Sequence, residues 1–244
     1  MLEKGIEILK IISVRQGFVS DHSSTSYEFL ALDRPLDKVA KAAVTSLSSR
    51  ANPTRRRVSF IYHADGHDIP GGWLPLMRDY YDVMYSESYD WWLLALAFPL
   101  SSQKQAEIAK YDFESGDNLG ISIEFNDDRA IVSIYCRLQP FGPYFFEEAD
   151  DSYEDEDEDE EEVDADDALQ DEIIAEINDP LLKLLAMIRL QLMEGDYRGL
   201  YEVWHIYGAP EFDDDGDWPR PPIPEEKSTG RRVIAEFAGM LDTT

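Results

Sequence analysis

The chain has 244 residues and a formal net charge of −29, from 51 acidic and 22 basic side chains. This length predicts one large domain or two small ones. Hydrophobic residues make up 43% and aromatic residues 12% of the chain, which excludes a protein that is disordered throughout.

The acidic excess disfavours direct binding to nucleic acid or to an anionic membrane surface, because both partners bind to positively charged protein surfaces. Residues 147–167 supply 16 of the acids and no base, and the rest of the chain still carries −13. The single cysteine, Cys136, excludes an intramolecular disulfide and is typical of a reducing cytosol. The longest apolar stretch, 91–100, is about half of the ~20 residues that span a bilayer, so we expect a cytoplasmic protein with no membrane contact.

In chain order, alternating or continuous apolar patterns predict strands at 8–14, 27–32, 57–63 and 91–98, then a hairpin of 120–125 with 130–137. The strand at 91–98 is apolar on both faces, which is typical of a central buried strand.

Helical patterns alternate with these strands. The first is predicted to start at Asp33 as cap, with Pro35 in its first turn and an apolar stripe to residue 47. Helical spacing also covers 73–85, and Ser101 or Ser102 can cap a short helix that ends near residue 111. We therefore predict an α+β fold in which a mixed sheet carries flanking helices.

Beyond the acidic segment, Asp179 and Pro180 predict a helix start, Gly195 and Asp196 a break before a second helix, and Ser228 the start of a third. The expected organisation is an α+β domain at 1–146, an acidic low-complexity linker at 147–178 and a small helical C-terminal segment at 179–244. The apolar faces of these helices need a surface, so we expect them to dock on the sheet.

Two segments carry a resemblance. Residues 27–36 read YEFLALDRPL, and residues 195–201 read GDYRGLY. The chain resembles an uncharacterised bacterial family with a Y-E-F-x-A-x-D-R-P-L segment and a late G-D-x-R-x-L-Y segment. The resemblance implies a shared architecture and a bacterial source, and it implies no activity.

The densest polar cluster is the loop 63–68, HADGHD, which could have residues 21–24 as a spatial neighbour. Two imidazoles and a carboxylate could hold a divalent metal, and a histidine could activate a hydroxyl. The i, i+4 spacing of the two loop histidines serves this purpose in a helix, and Gly66 and Pro70 argue against one. A polar loop at a strand end is favoured, so neither a metal nor any other cofactor is predicted. The candidate catalytic residues are His22, His63, His67 and Asp68, with Asp65 as a second carboxylate.

One basic cluster stands out in this acidic chain: Arg50, Arg55, Arg56 and Arg57. It could be an exposed loop whose charges protect a strand edge. It could also bind an anion, and the chain supplies one in the run 154–162. We therefore predict an anion-binding patch on which the acidic segment could dock.

No catalytic pattern dominates, so we expect a non-enzymatic acidic interaction protein, an adaptor or regulatory subunit of a cytosolic bacterial assembly. A transcription or defence system would be a natural setting. Its partner would be a protein, either basic or nucleic-acid-binding, and Tyr144, Phe145 and Phe146 are candidate anchors because interface cores favour aromatics. Trp91 and Trp92 are expected in the core, and Cys136 as a buried, inert thiol. The alternative is a metal-dependent hydrolase with a His/Asp site at 63–68.

Overall fold

The centre of the molecule is an antiparallel β-sheet. The computed structural model describes residues 25–49, 51–62, 68–88, 91–139, 173–211 and 220–242. Within them, seven strands form one sheet in the order β2-β1-β3-β4-β7-β6-β5, and every strand pair is antiparallel. The strands are β1 (Thr25–Leu30), β2 (Arg57–Tyr62), β3 (Val83–Ser88), β4 (Trp91–Pro99), β5 (Phe113–Glu114), β6 (Gly120–Asn126) and β7 (Arg129–Cys136).

Six α-helices lie around this sheet in the described part of the chain, besides a short helical stretch at 173–175 and two 3-10 turns at Ala109–Tyr111 and Ala209–Glu211. They are α1 (Lys38–Leu47), α2 (Leu74–Asp79), α3 (Ser102–Ile108), α4 (Pro180–Glu194), α5 (Arg198–Tyr207) and α6 (Arg231–Met240). The predicted α+β class is confirmed. The expected mixed sheet is wrong for the described strands, because all of their pairs are antiparallel. Even β1 and β3 run antiparallel, although β2 and α2 come between them in the sequence.

The sheet has a hydrophobic core on each face, since side chains alternate between faces along every strand. On one face, residues such as Phe29, Phe60 and Met84 pack with Val44 of α1 and Met77 of α2. We call this the first face. It is covered by helices that are local in sequence to the strands they cover.

The other face, here called the second face, is covered by α3 and by the three C-terminal helices. Leu94, Leu96 and Ile134 pack there with Leu185 of α4 and Phe237 of α6, among others. These contacts confirm that the C-terminal helices dock on the sheet, as their apolar faces require. Leu138 also forms an isolated antiparallel bridge with Leu241, which ties the end of α6 to the chain after β7.

Several predicted boundaries shift. Asp37, not Asp33, caps α1, and its Oδ1 accepts a hydrogen bond from the N–H of Ala40 at 2.8 Å. The helix therefore starts at Lys38, and of its predicted apolar stripe Val44 is buried whereas Val39 is 77% exposed. The last helix begins at Arg231 after Gly230, not at Ser228.

The helical spacing at 73–85 covers two different elements. The helix ends at Asp79, and the chain enters β3 at Val83, where Tyr85 pairs with Glu28 of β1 and Leu94 of β4. Strand pairing on both sides outweighs the local helical pattern. The predicted central strand and hairpin are confirmed: β4 is the fourth of the seven strands, and β6 and β7 pair across Asp127, which has a φ of 55°.

The described residues contain no helix that is both long and apolar enough to cross a membrane.

Candidate functional site

The predicted His/Asp site lies mostly outside the described residues. His22, His63, Asp65 and His67 all fall there, and only Asp68 is described. Its carboxylate accepts a hydrogen bond from the Tyr27 hydroxyl at 2.8 Å and one from the N–H of Ile69 at 2.6 Å. Burial, and then this carboxylate, raise the pKa of Tyr27 well above its usual range.

The strand register bears on the proposed pairing of the two histidine segments. Thr25, the first described residue, pairs with Tyr62, the last residue of β2. The chain therefore leaves the described structure towards residues 24 and 63 from paired positions. Among the described residues, no group of three or more His, Cys, Asp and Glu side chains could hold a metal ion.

The arginine cluster is divided by the structure. Arg50 lies outside the described residues and Arg55 is exposed. Arg56 donates from Nη1 to the carbonyls of Ala31 and Leu32 at 3.0 and 2.7 Å. This guanidinium stabilises the chain just after β1, so part of the predicted patch is used to hold the fold.

Arg57 also has partners within the fold, because it forms ion pairs with two carboxylates. Its Nη2 lies 3.2 Å from Glu28 of β1 and 3.0 Å from Asp179, just before α4. Burial raises the pKa of Glu28, while the hydrogen bond from Ser59 and the charge of Arg57 act in the opposite direction. Asp179 also accepts from the Tyr85 hydroxyl at 3.0 Å. This group of residues attaches the start of the C-terminal helices to the sheet.

Asp179 has a second role, which the sequence predicted. Its Oδ1 accepts from the N–H groups of Leu181 and Leu182 at 3.0 and 3.1 Å, so it caps α4, and Pro180 occupies the first helical position. A cap satisfies donors that the helix itself leaves unpaired. One side chain therefore starts the helix and also holds it to β2 and β3.

A second ion-pair cluster was not predicted. Arg189 of α4 is fully buried. Its Nε donates to the carbonyl of Ala97 in β4 at 2.8 Å, and its Nη2 contacts both carboxylate oxygens of Asp33 at 2.7 and 2.6 Å. Asp33 lies after β1, so this arginine links α4 to two strands. An arginine within the apolar sequence of α4 was the available signal, since a buried arginine needs a partner.

Asp82 completes this cluster. It accepts from the N–H groups of Leu32 and Asp33 at 2.7 and 2.9 Å and from Arg129 at 2.7 Å. Burial raises the pKa of Asp33, and the neighbouring Arg189 opposes that shift. The donors around both carboxylates are the guanidinium and backbone groups of the fold itself. We therefore interpret the cluster as structural: it stabilises the packing of α4 against the sheet.

An aromatic patch lies at one end of the first face, beyond the cover of α1 and α2. It consists of Trp91, Leu93, Tyr135 and Arg137, which occupy neighbouring positions on β4 and at the end of β7. Trp91 is 39% and Tyr135 38% exposed, and Leu93 is half-buried. The guanidinium of Arg137 lies 5.2 Å from the Trp91 ring centroid, a cation–π contact.

The exposure of Trp91 contradicts the prediction that Trp91 and Trp92 both lie in the core. Trp91 is not in the core, although the strand that carries it is buried further along. Trp92 points to the second face, where it packs beside Tyr85 with ring centroids 5.9 Å apart. The predicted anchors Tyr144, Phe145 and Phe146 lie outside the described residues.

Cys136 is buried, as predicted, and burial raises the pKa of its thiol far above the usual range. A thiol held protonated is a poor nucleophile and a poor metal ligand.

No family model, curated protein or solved structure matches this chain. The resemblance to a bacterial family therefore stays a prediction.

Proposed function

We propose that the chain is a non-enzymatic interaction protein, an acidic adaptor or regulatory subunit of a cytosolic bacterial assembly. The observation that carries the proposal is the aromatic patch of Trp91, Leu93, Tyr135 and Arg137. Tryptophan, tyrosine and arginine are the residues that most often dominate binding energy in protein interfaces.

Burial of the exposed rings by a partner would contribute favourable free energy to binding at this patch. Covering an exposed tryptophan or tyrosine removes a large apolar area from water, and each ring loses little conformational entropy because its side chain has only two rotatable bonds. The cation–π contact between Arg137 and Trp91 would be strengthened by the same desolvation.

Charge defines the chemistry of the partner. A net charge of −29 attracts a basic protein over long range and repels acidic ones and a second copy of the chain. Several described arginines are paired internally, among them Arg57, Arg129, Arg189 and Arg198. We therefore propose a basic protein as the partner, which includes proteins that themselves bind nucleic acid.

Site-specific photo-cross-linking tests this proposal. A photoreactive phenylalanine analogue is placed at Tyr135, and as a matched control at Phe125, which is 39% exposed on the adjacent strand β6. Phe125 follows Ile121 and Ile123 on the second face, so the two probes are equally exposed on opposite faces. We expect position 135 to label a basic protein in the host cell and position 125 not to label it.

Purified partner then gives a quantitative test. The double variant Trp91→Ala/Tyr135→Ala should weaken binding at least about tenfold, whereas Phe125→Ala should leave it unchanged. Equal labelling from both positions, or unchanged affinity of the double variant, would argue against the aromatic patch as the interface.

The alternative is a metal-dependent hydrolase that uses His22, His63, His67 and Asp65 or Asp68. The pairing of Thr25 with Tyr62 supports it, because the two histidine segments adjoin these residues in sequence. Metal analysis of the purified full chain decides between the two functions. About one zinc or other divalent ion per chain, lost in His63→Ala/His67→Ala, would favour the hydrolase, and a metal-free wild-type protein would exclude it.

A further inference from the structure

The charge of this chain is distributed unevenly. Residues 34–62 contain seven of the 22 basic residues and one of the 51 acidic residues. The structure brings this stretch together at one edge of the sheet, as α1, the following loop and β2. In the described structure, a basic stretch therefore lies at one edge of a chain with a strong acidic excess.

Three basic residues at this edge are available for binding. Arg34, Lys38 and Arg55 are exposed, and none of them forms an ion pair or a side-chain hydrogen bond within the described structure. They lie close together along the backbone, because the N–H of Leu36 donates to the carbonyl of Arg55. We call these three residues the basic surface. It differs from the predicted patch, since Arg56 and Arg57 are already committed to the fold.

A groove and an open strand edge adjoin the basic surface. A groove of about 360 Å³ lies between Pro35, Thr54, Arg55 and Arg56. Beside it, β2 is an edge strand, and of its outward-facing residues Ser59 and Ile61 have no backbone partner in the described structure. Unpaired backbone donors and acceptors at a sheet edge can pair with an extended segment.

We propose that the acidic segment 147–167 of this same chain binds the basic surface. Charge complementarity is the first argument: the segment carries 16 acids and no base. The second is the position of its C-terminal end. Asp179 contacts Arg57 at the start of β2, and the described chain that leads to it begins at residue 173, with only residues 168–172 between it and the acidic segment. From residue 173 to Asp179 the chain spans at most about 20 Å, and the 21-residue acidic segment can extend to about 70 Å, which is ample for a surface beside Arg57.

The strength of this interaction depends on the covalent connection. A single exposed ion pair contributes about 0–1 kcal/mol and is screened by salt. A tethered segment with many charges is instead present at millimolar effective concentration, so several weak pairs can hold it. Binding should therefore be intramolecular and should weaken steeply as salt is added.

Zero-length carbodiimide cross-linking of the full chain, read by mass spectrometry, tests the proposal. The reagent joins a lysine amine to a carboxylate in direct contact. Lys38 reports on the basic surface, and the matched control is Lys110, an exposed lysine that precedes β5 at the opposite edge of the sheet. At low salt we expect Lys38 to link to residues 147–167 at least about fivefold more than Lys110 does.

Two variants and one mixture complete the design. Arg34→Gln/Arg55→Gln should reduce the Lys38 link severalfold without changing the Lys110 yield. Adding about 0.5 M salt should do the same. In a mixture of isotopically light and heavy chains, the links should join residues of one chain. Equal yields at Lys38 and Lys110, or links chiefly between different chains, would overturn the proposal.

Discussion

The two faces of the sheet are built differently. The first face is covered by α1 and α2, which follow closely on the strands that they cover. The second face is covered mainly by α4, α5 and α6, which come from the far end of the chain. Loop closure is cheap over short distances, and on this face Arg129 donates to the carbonyls of Met77 in α2 and of Tyr81. The distant helices are held by apolar packing and also by two clusters of buried or half-buried ion pairs.

This comparison shows what the buried charges do. The Arg189 cluster joins α4 to Asp33 and β4, and the Arg57 cluster joins the start of α4 to β2 and β3 directly and to β1 through Glu28. Both clusters act on α4, and Arg129 of the Arg189 cluster also donates to the Met77 carbonyl of α2. Among the described residues, Trp91 and Tyr135 at one end of the first face are exposed, and the aromatic patch lies there.

The largest expected effect follows from removing the buried arginine. Arg189→Met leaves Asp33 and the Ala97 carbonyl without their donor, and should reduce the free energy of unfolding by about 3–5 kcal/mol in urea titrations. The control Arg232→Met removes an exposed pair with Glu236 and should cost about 0–1 kcal/mol. A loss below about 1 kcal/mol in Arg189→Met would show that packing alone attaches α4.

A matched pair of leucines compares the two hydrophobic cores. Leu185 of α4 packs on the second face and Leu76 of α2 on the first, and both are buried. Each change to alanine should cost about 2–5 kcal/mol. If the sheet couples the two faces, near-UV and far-UV circular dichroism should report one coincident unfolding transition for each variant. Separate transitions in Leu185→Ala would mean that the C-terminal helices unfold independently.

The two helix caps offer a smaller contrast. Asp37→Ala removes one exposed cap hydrogen bond from α1 and should cost about 0.5–2 kcal/mol. Asp179→Ala removes two cap bonds and also the bonds from Arg57 and Tyr85, so about 2–4 kcal/mol is expected. Thermal or urea unfolding of both variants measures the difference. Equal losses would mean that the contacts to Arg57 and Tyr85 add nothing to capping.

The smallest expected effect concerns pH. Burial raises the pKa of Glu28 above its ordinary value of 4.5, so the folded state binds this proton more tightly than the unfolded state does. Its contribution to stability is therefore fully present below the ordinary value and is lost as the pH rises through the folded pKa. Wild-type stability relative to Glu28→Gln should fall from pH 4 to pH 7 in urea titrations. A difference that grows with pH would show that Arg57 outweighs desolvation.

Much of the fold could be predicted because its signals are local. The apolar run of β4, the hairpin of β6 and β7 and the Asp179-Pro180 start of α4 each follow from a few consecutive residues. The residues of the candidate site were harder to predict from the sequence. Trp91 belongs to a strand that reads as buried, yet it is exposed at one end of the first face in the described structure. Asp33 reads as a helix cap, and its actual partner lies 156 residues away.

By itself, the sequence determined the α+β class, most of the strands and helices, the acidic character and the inert cysteine, because periodicity, capping and composition act over one element at a time. Only the tertiary structure decided the antiparallel strand order and the pairing of Arg189 with Asp33. It also decided that Arg56 holds the backbone after β1 whereas Arg55 stays exposed. Those outcomes depend on which distant segments pack together, and the free energy that selects them is a sum over contacts that no local pattern records.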